Sequence, residues 1–149
     1  MESIKIDLND WVIIIGRHLG DYTQMCIKHY CENTVVNERE QDALELYFDN
    51  VKTNMKRLEK FVKKMRTPKG TYTFKGYEDL DFLFCFVQYV INHDTDAKRS
   101  DRFLELAIEI STLMAVKTRE ANETEYCDDA IRFRDYLCRL KIENKKGRH

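Results

Sequence analysis

The sequence predicts an all-α protein, and three observations carry that prediction. The chain contains one proline and five glycines in 149 residues, so few positions interrupt a helix. Residues 38–66 follow an unbroken helical pattern, and residues 77–92 form a second pattern that is apolar on nearly every face. We therefore expect a single-domain bundle of about five helices joined by short connections.

Length and composition favour one domain that spans residues 1–149. A chain of this size buries about 70% of its unfolded surface on folding, which is enough for a core without a metal or a disulfide. Apolar residues make up 43% of the chain and charged residues 34%, and this balance argues against disorder. At the ends we expect a short extended segment over residues 1–8 and a frayed basic tail over residues 143–149.

The helix predicted over residues 38–66 has one narrow apolar stripe. The residues of the stripe alternate at spacings of four and three, as in a heptad seam: Leu44, Phe48, Val51, Met55, Leu58, Val62 and Met65. A helix of this length is about 43 Å long at 1.5 Å per residue. The stripe packs either against the rest of the chain or against a second copy. In the second case a homodimer joins along Phe48, Met55 and Val62.

Four further helices are predicted from the helical spacing of apolar residues. The first begins near Asn9 or Asp10, which can cap it, and the central helix runs from about residue 77 to residue 92. A fourth helix follows the cap-rich turn at residues 92–96, and a fifth begins near the capping-box pair Asn122 and Glu125. We expect the apolar residues of the fifth helix to face inward, Cys138 among them.

The second half of the long helix carries a row of basic side chains. They recur at helical spacing: Lys52, Lys56, Arg57, Lys60, Lys63 and Lys64. Such a row can follow the phosphates of a nucleic acid, but no aromatic residue shares its face for bases to stack on. The net charge of −1 also provides no overall basic field. Nucleic-acid binding and a solvated helix face are both open interpretations, and the solvated face is the simpler one.

Two pairs of carboxylates define a candidate metal site. Glu105 and Glu109 are one turn apart on the fourth helix, and Glu125 and Asp128 are three residues apart on the fifth. Four carboxylates on adjacent helices would hold Mg²⁺ against a triphosphate, as in all-α nucleotide pyrophosphohydrolases. The first pair is one residue wider than in that enzyme class and lacks its usual glycine. A Mg²⁺-dependent nucleotide pyrophosphohydrolase is therefore kept only as an alternative.

A His-Asp pair, His93 and Asp94, ends the central helix and is similar to the pair that binds metal in phosphohydrolases of the HD type. Further ligands would come from His29 and from Asp128 or Asp129, but nothing in the sequence fixes that choice. Helix capping explains the pair more simply, because Asp94 suits a helix N-terminus and His93 suits the negative end of a helix. We assign no catalytic residue, no metal ligand and no cofactor from the sequence.

The cysteines and the apolar segments bear on the location of the protein. The five cysteines are odd in number and four lie in apolar helical patterns, so we expect reduced, buried thiols in a reducing compartment. The longest apolar run, residues 82–91, is far shorter than the about 20 residues that span a bilayer. The first ten residues lack the apolar region of a signal peptide. Together these observations predict a cytoplasmic protein without a membrane partner.

The sequence favours a non-enzymatic interaction protein that regulates or inhibits a larger protein partner. The long heptad helix and an aromatic-rich connection, which includes Tyr72 and Phe74, are the expected contact surfaces, because aromatic residues are typical interface anchors. The chain is rich in Ile, Lys, Asn and Tyr and poor in Ala, Gly and Pro. This composition is typical of an AT-rich genome, and it suggests a viral, phage or low-GC bacterial accessory protein.

Overall fold

The computed structural model describes residues 3–32, 41–66 and 71–147, and it confirms the all-α prediction. The described elements in chain order are β1 (Ser3–Asp7), a 3₁₀ helix (Leu8–Trp11), α1 (Val12–Glu32), α2 (Gln41–Arg66), β2 (Thr71–Lys75), α3 (Tyr77–His93), α4 (Thr95–Arg99), α5 (Asp101–Glu120) and α6 (Thr124–Lys146). The described part therefore holds six α-helices, and β1 and β2 form its two-stranded sheet. None of the described helices is long and apolar enough to cross a membrane.

The chain divides into two compact units. The large unit contains Met1–Ile6 and Thr71–His149, and the small unit contains Asp7–Gly70. Each unit has buried apolar side chains of its own, and the two are described separately below. The organisation of residues 1–149 as a single domain stays a prediction.

The small unit is built from α1 and α2, which pack against each other. The 3₁₀ helix and α1 bury residues at the spacing of one helical face: Trp11, Ile15, Leu19, Tyr22 and Cys26. The ring of Tyr22 meets the ring of Phe61 on α2 edge to face, with centroids 6.3 Å apart. Both side chains are 1% exposed, so this aromatic pair lies in the core.

The second helix of the small unit, α2, is the long helix that the heptad pattern predicted, and it ends at Arg66 as expected. The first predicted residues, 38–40, lie outside the described part of the chain. The seam divides by exposure: Leu58, Val62 and Met65 are buried, Val51 and Met55 are half-buried, and the side chains of Leu44 and Phe48 are not among those described. The C-terminal half of the seam is therefore buried within the chain itself. A homodimer along the seam stays a prediction.

In the large unit, the sheet leads into the apolar helix α3. Ile4 and Ile6 on β1 and Phe74 on β2 are buried. Gly76 precedes α3 with φ of 85° and ψ of 154°, a conformation that strains residues with a side chain. The helix at Tyr77–His93 confirms the central apolar helix predicted over residues 77–92. Its buried residues cover most of its circumference: Leu80, Phe82, Leu83, Phe84, Phe86, Val87, Val90 and Ile91.

Two capped helices, α4 and α5, replace the single fourth helix that the sequence predicted. The Asp94 carboxylate caps α4 by accepting hydrogen bonds from the backbone N–H groups of Asp96 (2.9 Å) and Ala97 (3.2 Å). Ser100 then leaves the helical conformation, with φ of −90° and ψ of 106°. Its hydroxyl accepts a hydrogen bond from the N–H of Phe103 at 3.2 Å and so caps α5. The break at Ser100 gives six helices where about five were expected.

An antiparallel hairpin of α5 and α6 completes the large unit. Near the turn, the Cys127 thiol donates to the Ala115 carbonyl at 3.4 Å, and the turn itself holds Asn122 at φ of 59°. At the far end, the side-chain N–H of Asn144 donates to the Lys98 carbonyl at 2.8 Å. Helix α6 continues to Lys146, so the tail predicted from residue 143 is helical over its first turn.

The five cysteines all lie among the described residues, and none of them forms a disulfide. Cys26 and Cys127 are buried, as expected, and Cys85 is half-buried. The prediction of burial is wrong for Cys31 and Cys138, which are exposed. Cys138 lies on the same side of α6 as the buried Cys127, eleven residues earlier, so its exposure does not follow from its position around the helix.

Candidate functional site

The basic residues predicted as a binding surface lie along one side of α2. Lys52, Lys56 and Lys60 follow one another at intervals of four residues and are exposed. Arg57 and Lys63 are also exposed, whereas Lys64 is half-buried. We call Lys52, Lys56, Lys60 and Lys63 the basic face. The intervals place these four side chains as neighbours on consecutive turns of one helix.

An apolar groove runs between α1 and α2, and the sequence alone did not indicate it. It has a volume of about 330 Å³ and is lined by Thr23, Ile27, Met55, Leu58, Glu59, Val62, Lys63 and Arg66. We call it the α1–α2 groove. Ile27, Met55, Leu58 and Val62 give it an apolar floor, and Lys63 and Arg66 place two cationic groups on its wall. Glu59 is the acidic residue of this lining.

The basic face borders the α1–α2 groove because both use neighbouring positions of α2. Lys52 precedes Met55 by three residues, and Lys56 precedes Glu59 by three, so each lysine lies beside a residue that lines the groove. The described lining residues include no aromatic side chain, so this part of the groove offers no platform for stacking a nucleic-acid base. The combination is an apolar slot with a cationic border.

One aromatic residue of the connection, Phe74, does not lie on the surface where the sequence predicted it. Phe74 is 0% exposed and packs into the core of the large unit, so its prediction as a surface anchor is wrong. Phe74 lies on β2, which pairs with β1. Successive side chains of a strand point to opposite faces of the sheet, and Phe74 points to the buried face. The side chain of Tyr72 is not among those described. Tyr77 is half-buried, and its hydroxyl donates to a carboxylate oxygen of Glu123.

The two acidic pairs of the metal alternative lie apart in the structure. Glu105 forms an ion pair with Lys141 at 2.9 Å, near the open end of the α5–α6 hairpin. Glu125 and Asp128 lie on the first turns of α6, beside the α5–α6 turn. About 22 Å of α5 separates Glu105 from that turn at 1.5 Å per residue. The described residues contain no group of three or more potential ligands placed to hold a metal ion.

The His-Asp pair at the end of α3 has the capping roles that the simpler interpretation assigned to it. Asp94 uses its carboxylate on the N-terminus of α4. The Nδ1 atom of His93 lies 2.8 Å from the Tyr89 carbonyl, and the two rings stack with centroids 4.2 Å apart. Both residues thus have local structural contacts.

A second concave surface, which we call the acidic cleft, lies in the large unit between α3 and the start of α6. It has a volume of about 790 Å³ and is lined by Asp81, Phe84, Cys85, Gln88, Asn122, Glu123, Thr124, Glu125, Tyr126 and Asp129. Four of these residues are acidic and none is Lys or Arg. Glu125 is the residue of the predicted acidic pairs that reaches this cleft.

A hydrogen-bonded cluster forms the inner wall of the acidic cleft. The Tyr126 hydroxyl donates to Oδ1 of Asp81, and the Cys85 thiol donates to the same oxygen at 3.8 Å. Burial raises the pKa of Asp81 above its ordinary 3.8, although the hydrogen bonds from Tyr126 and Cys85 oppose that shift. Burial also raises the pKa of Tyr126, so its hydroxyl stays protonated and acts as the donor.

Asp81 follows the helix start at Tyr77, where the helix dipole favours acidic residues, and Glu123 precedes α6. Only the packing of α3 beside the start of α6 brings Asp81 to Tyr126, and Phe84 joins them with its ring 5.9 Å from the Tyr126 ring. The one local signal was the interval of four between Asp81 and Cys85, which places both on one side of α3.

No protein-family model, curated protein or solved structure matches this chain. A function is therefore proposed from the two surfaces themselves. The α1–α2 groove with its basic face combines an apolar floor and a charged border, whereas the acidic cleft holds hydrogen-bonded polar groups on its inner wall.

Proposed function

We propose that this chain is a small non-enzymatic interaction protein that regulates or inhibits a larger partner by protein–protein binding. The observation that carries the proposal is the basic face beside the apolar α1–α2 groove on a single pair of helices. Apolar contact area surrounded by charged groups is the usual anatomy of a protein interface. The apolar floor supplies affinity, and the lysines select partners of complementary charge.

We place this interaction in the cytoplasm. The absence of disulfides among five cysteines, two of which are exposed, supports a reducing environment. Binding to a partner there would rest on burial and charge, with no cofactor.

A second candidate function, nucleic-acid binding, is favoured by the four-residue intervals of Lys52, Lys56 and Lys60. An exposed row of ammonium groups can contact successive phosphates and release counterions. The apolar groove beside the row has no role in that function, and the missing aromatic platform weakens it. Protein binding uses both features, and for this reason we prefer it.

The test is an affinity purification from a lysate of the native host, with and without nuclease, using the full chain. The test variant replaces Lys52, Lys56 and Lys60 by glutamate. The matched control variant makes the same change in charge on α6, at Arg139, Lys145 and Lys146, all of which are exposed. We expect one stoichiometric protein partner that survives nuclease, is reduced at least about tenfold by the α2 variant and is retained by the control.

Two results would contradict the proposal. Loss of all bound material after nuclease treatment would indicate that the basic face binds nucleic acid instead of a protein. Retention of the partner by the α2 variant and its loss from the α6 control would place the interface on the large unit.

A further inference from the structure

We propose that the α1–α2 groove receives an acidic amphipathic helix from the partner protein. This inference rests on the proposed function, because it names the chemistry of the segment that the interaction surface recognises. Three properties of the groove support such a ligand, namely its length, its floor and its charge.

The groove follows the axis of α2 for about three turns. Its α2 lining extends from Met55 to Arg66, which corresponds to about 16 Å at 1.5 Å per residue. A docked helix presents anchors at positions i, i+3 or i+4 and i+7, which cover a similar length. The dimensions therefore suit a short helix that lies along α2.

The floor offers an adaptable apolar surface. Met55 and Ile27 are half-buried, so part of each side chain remains open to an incoming residue. Methionine has three rotatable bonds and a polarisable sulfur, which let it adjust to different aliphatic partners. A volume of about 330 Å³ is near the lower end of the usual 300–1,000 Å³ range of binding pockets, so the groove takes side chains rather than a whole folded surface.

The charge around the floor selects an acidic ligand. Lys63 and Arg66 line the groove, and the exposed Lys52 and Lys56 each precede a lining residue of α2 by three positions. Glu59 is the acidic residue among the lining, so the border is cationic on balance. An amphipathic helix with acidic flanks would place its apolar stripe on the floor and its carboxylates against this border.

A nucleic acid fits the same border less well. Phosphates would meet the lysines, but the bases would face a floor whose described residues are aliphatic. Apolar anchors and acidic flanks on one helix use the floor and the border together.

The test measures fluorescence anisotropy of a labelled synthetic peptide titrated with the full chain. The probe is a helix-forming peptide of about 18 residues, with leucine at positions i, i+3 and i+7 and glutamate on both flanks. A second peptide has the same composition with its leucines moved off one face. A single-stranded oligonucleotide of the same net charge is the third probe.

Two variants and two matched controls accompany the probes. Met55→Glu removes the apolar floor and adds a repelling charge, and Lys56→Glu reverses the border without touching the core. Ile142→Glu and Lys146→Glu make the same two changes on exposed positions of α6. Circular dichroism checks that each variant is folded. If Met55→Glu does not fold, Lys56→Glu still tests the inference.

We expect the amphipathic peptide to bind and the rearranged peptide to bind at least about tenfold more weakly. Met55→Glu and Lys56→Glu should each weaken the amphipathic peptide by a similar factor, and the α6 controls should leave it unchanged. Equal binding of both peptides would overturn the inference, because charge alone would then explain it. Tighter binding of the oligonucleotide would also overturn it.

Failure of this inference can be told apart from failure of the proposed function. If the partner captured from lysate binds Met55→Glu as well as the unchanged chain, the groove is not its docking site and the proposed function stands. If the chain captures no protein partner, the proposed function itself fails. If sedimentation shows a dimer that Met55→Glu dissociates, the groove is occupied by a second copy and the inference is wrong.

Discussion

Asp81 is a carboxyl group whose protonation depends on two opposing effects. Burial disfavours its ionised form, whereas the Tyr126 hydroxyl and the Cys85 thiol stabilise it by donating hydrogen bonds. Burial has the larger effect, so the pKa of Asp81 is raised in the folded protein. Stability due to this group therefore increases as the pH falls from neutral through its folded-state pKa, since the folded state then binds the additional proton.

Tyr126→Phe should lower the free energy of unfolding by about 1.5 kcal/mol at a pH above the pKa of Asp81, because the ionised carboxylate then loses a hydrogen-bond donor. The substitution also raises the pKa of Asp81 further, since the hydrogen bond from Tyr126 lowers it. The difference in the free energy of unfolding between the variant and the unchanged chain should become smaller as the pH falls through that pKa. Urea denaturation followed by circular dichroism at a series of pH values measures both effects.

Tyr136→Phe is the matched control, because it makes the same change on α6 at a half-buried ring that packs on Phe133. Its effect should be small and should not vary with pH. An equal and pH-independent loss in both variants would show that the contact between Tyr126 and Asp81 carries no special stability.

Single residues also show where sequence reasoning stops. The heptad pattern of α2 identified the buried positions Leu58, Val62 and Met65, but Cys138 was expected inside and Phe74 on the surface. Cys138 lies within about 20° of the buried Cys127 around α6, so periodicity alone cannot separate the exposed position from the buried one. Phe74 is buried because β2 pairs with β1, and that pairing joins residues about seventy positions apart in the chain.

At the scale of elements, the long helix and the central apolar helix were predictable because many residues repeat the same signal. The central helix was expected over residues 77–92 and is found at Tyr77–His93. The separation of α4 from α5 was missed, because Ser100 is one polar residue inside a helical pattern. Its effect is visible only once its hydroxyl is seen to accept from Phe103.

Ser100→Ala should lower the free energy of unfolding by about 1 kcal/mol, because the first turn of α5 loses its cap. Chemical denaturation provides the measurement. Thr112→Ala is the control, since it shortens an exposed hydroxyl-bearing side chain inside the same helix. Alanine is the better helix former there, so the control should be neutral or slightly stabilising.

A Ser100→Ala variant as stable as the unchanged chain would contradict the capping role. It would indicate that the hydrogen bond from the Phe103 N–H to the Ser100 hydroxyl adds no net stability to α5.

At the scale of the whole molecule, the single-domain prediction concerns whether the two units unfold together. Trp11 is the one tryptophan and lies in the small unit, so its fluorescence reports on that unit. Circular dichroism reports on the helices of both. If the chain is one cooperative domain, the two signals should change at the same urea concentration.

Leu104→Ala removes a fully buried side chain of the large unit and should destabilise by about 2–5 kcal/mol. Under the single-domain prediction, it should also shift the transition of Trp11 in the small unit to lower urea. Val116→Ala, on the same helix but 44% exposed, should leave that transition within about 0.5 kcal/mol. If Leu104→Ala leaves the urea midpoint of the Trp11 fluorescence transition unchanged, the two units are independent domains.

The candidate site was predictable only in part at this scale. The basic face follows directly from the intervals of four in one helix, and exposure of Lys52, Lys56 and Lys60 agrees with that pattern. The α1–α2 groove requires the placement of Ile27 opposite Met55, which is a tertiary property. The acidic cleft likewise needs α3 and α6 side by side. A periodic pattern describes one helix and leaves the partner of each helix open.

The two exposed thiols have a consequence for optical experiments. Cys31 belongs to the small unit and Cys138 to the large unit, and both lie on helices with their side chains exposed. Thiol-reactive dyes reach such positions before the buried Cys26 and Cys127. With the half-buried Cys85 replaced by serine, a donor and an acceptor dye would convert the separation of the two units into a transfer efficiency. The natural sequence thus already carries both attachment points for following that separation in solution.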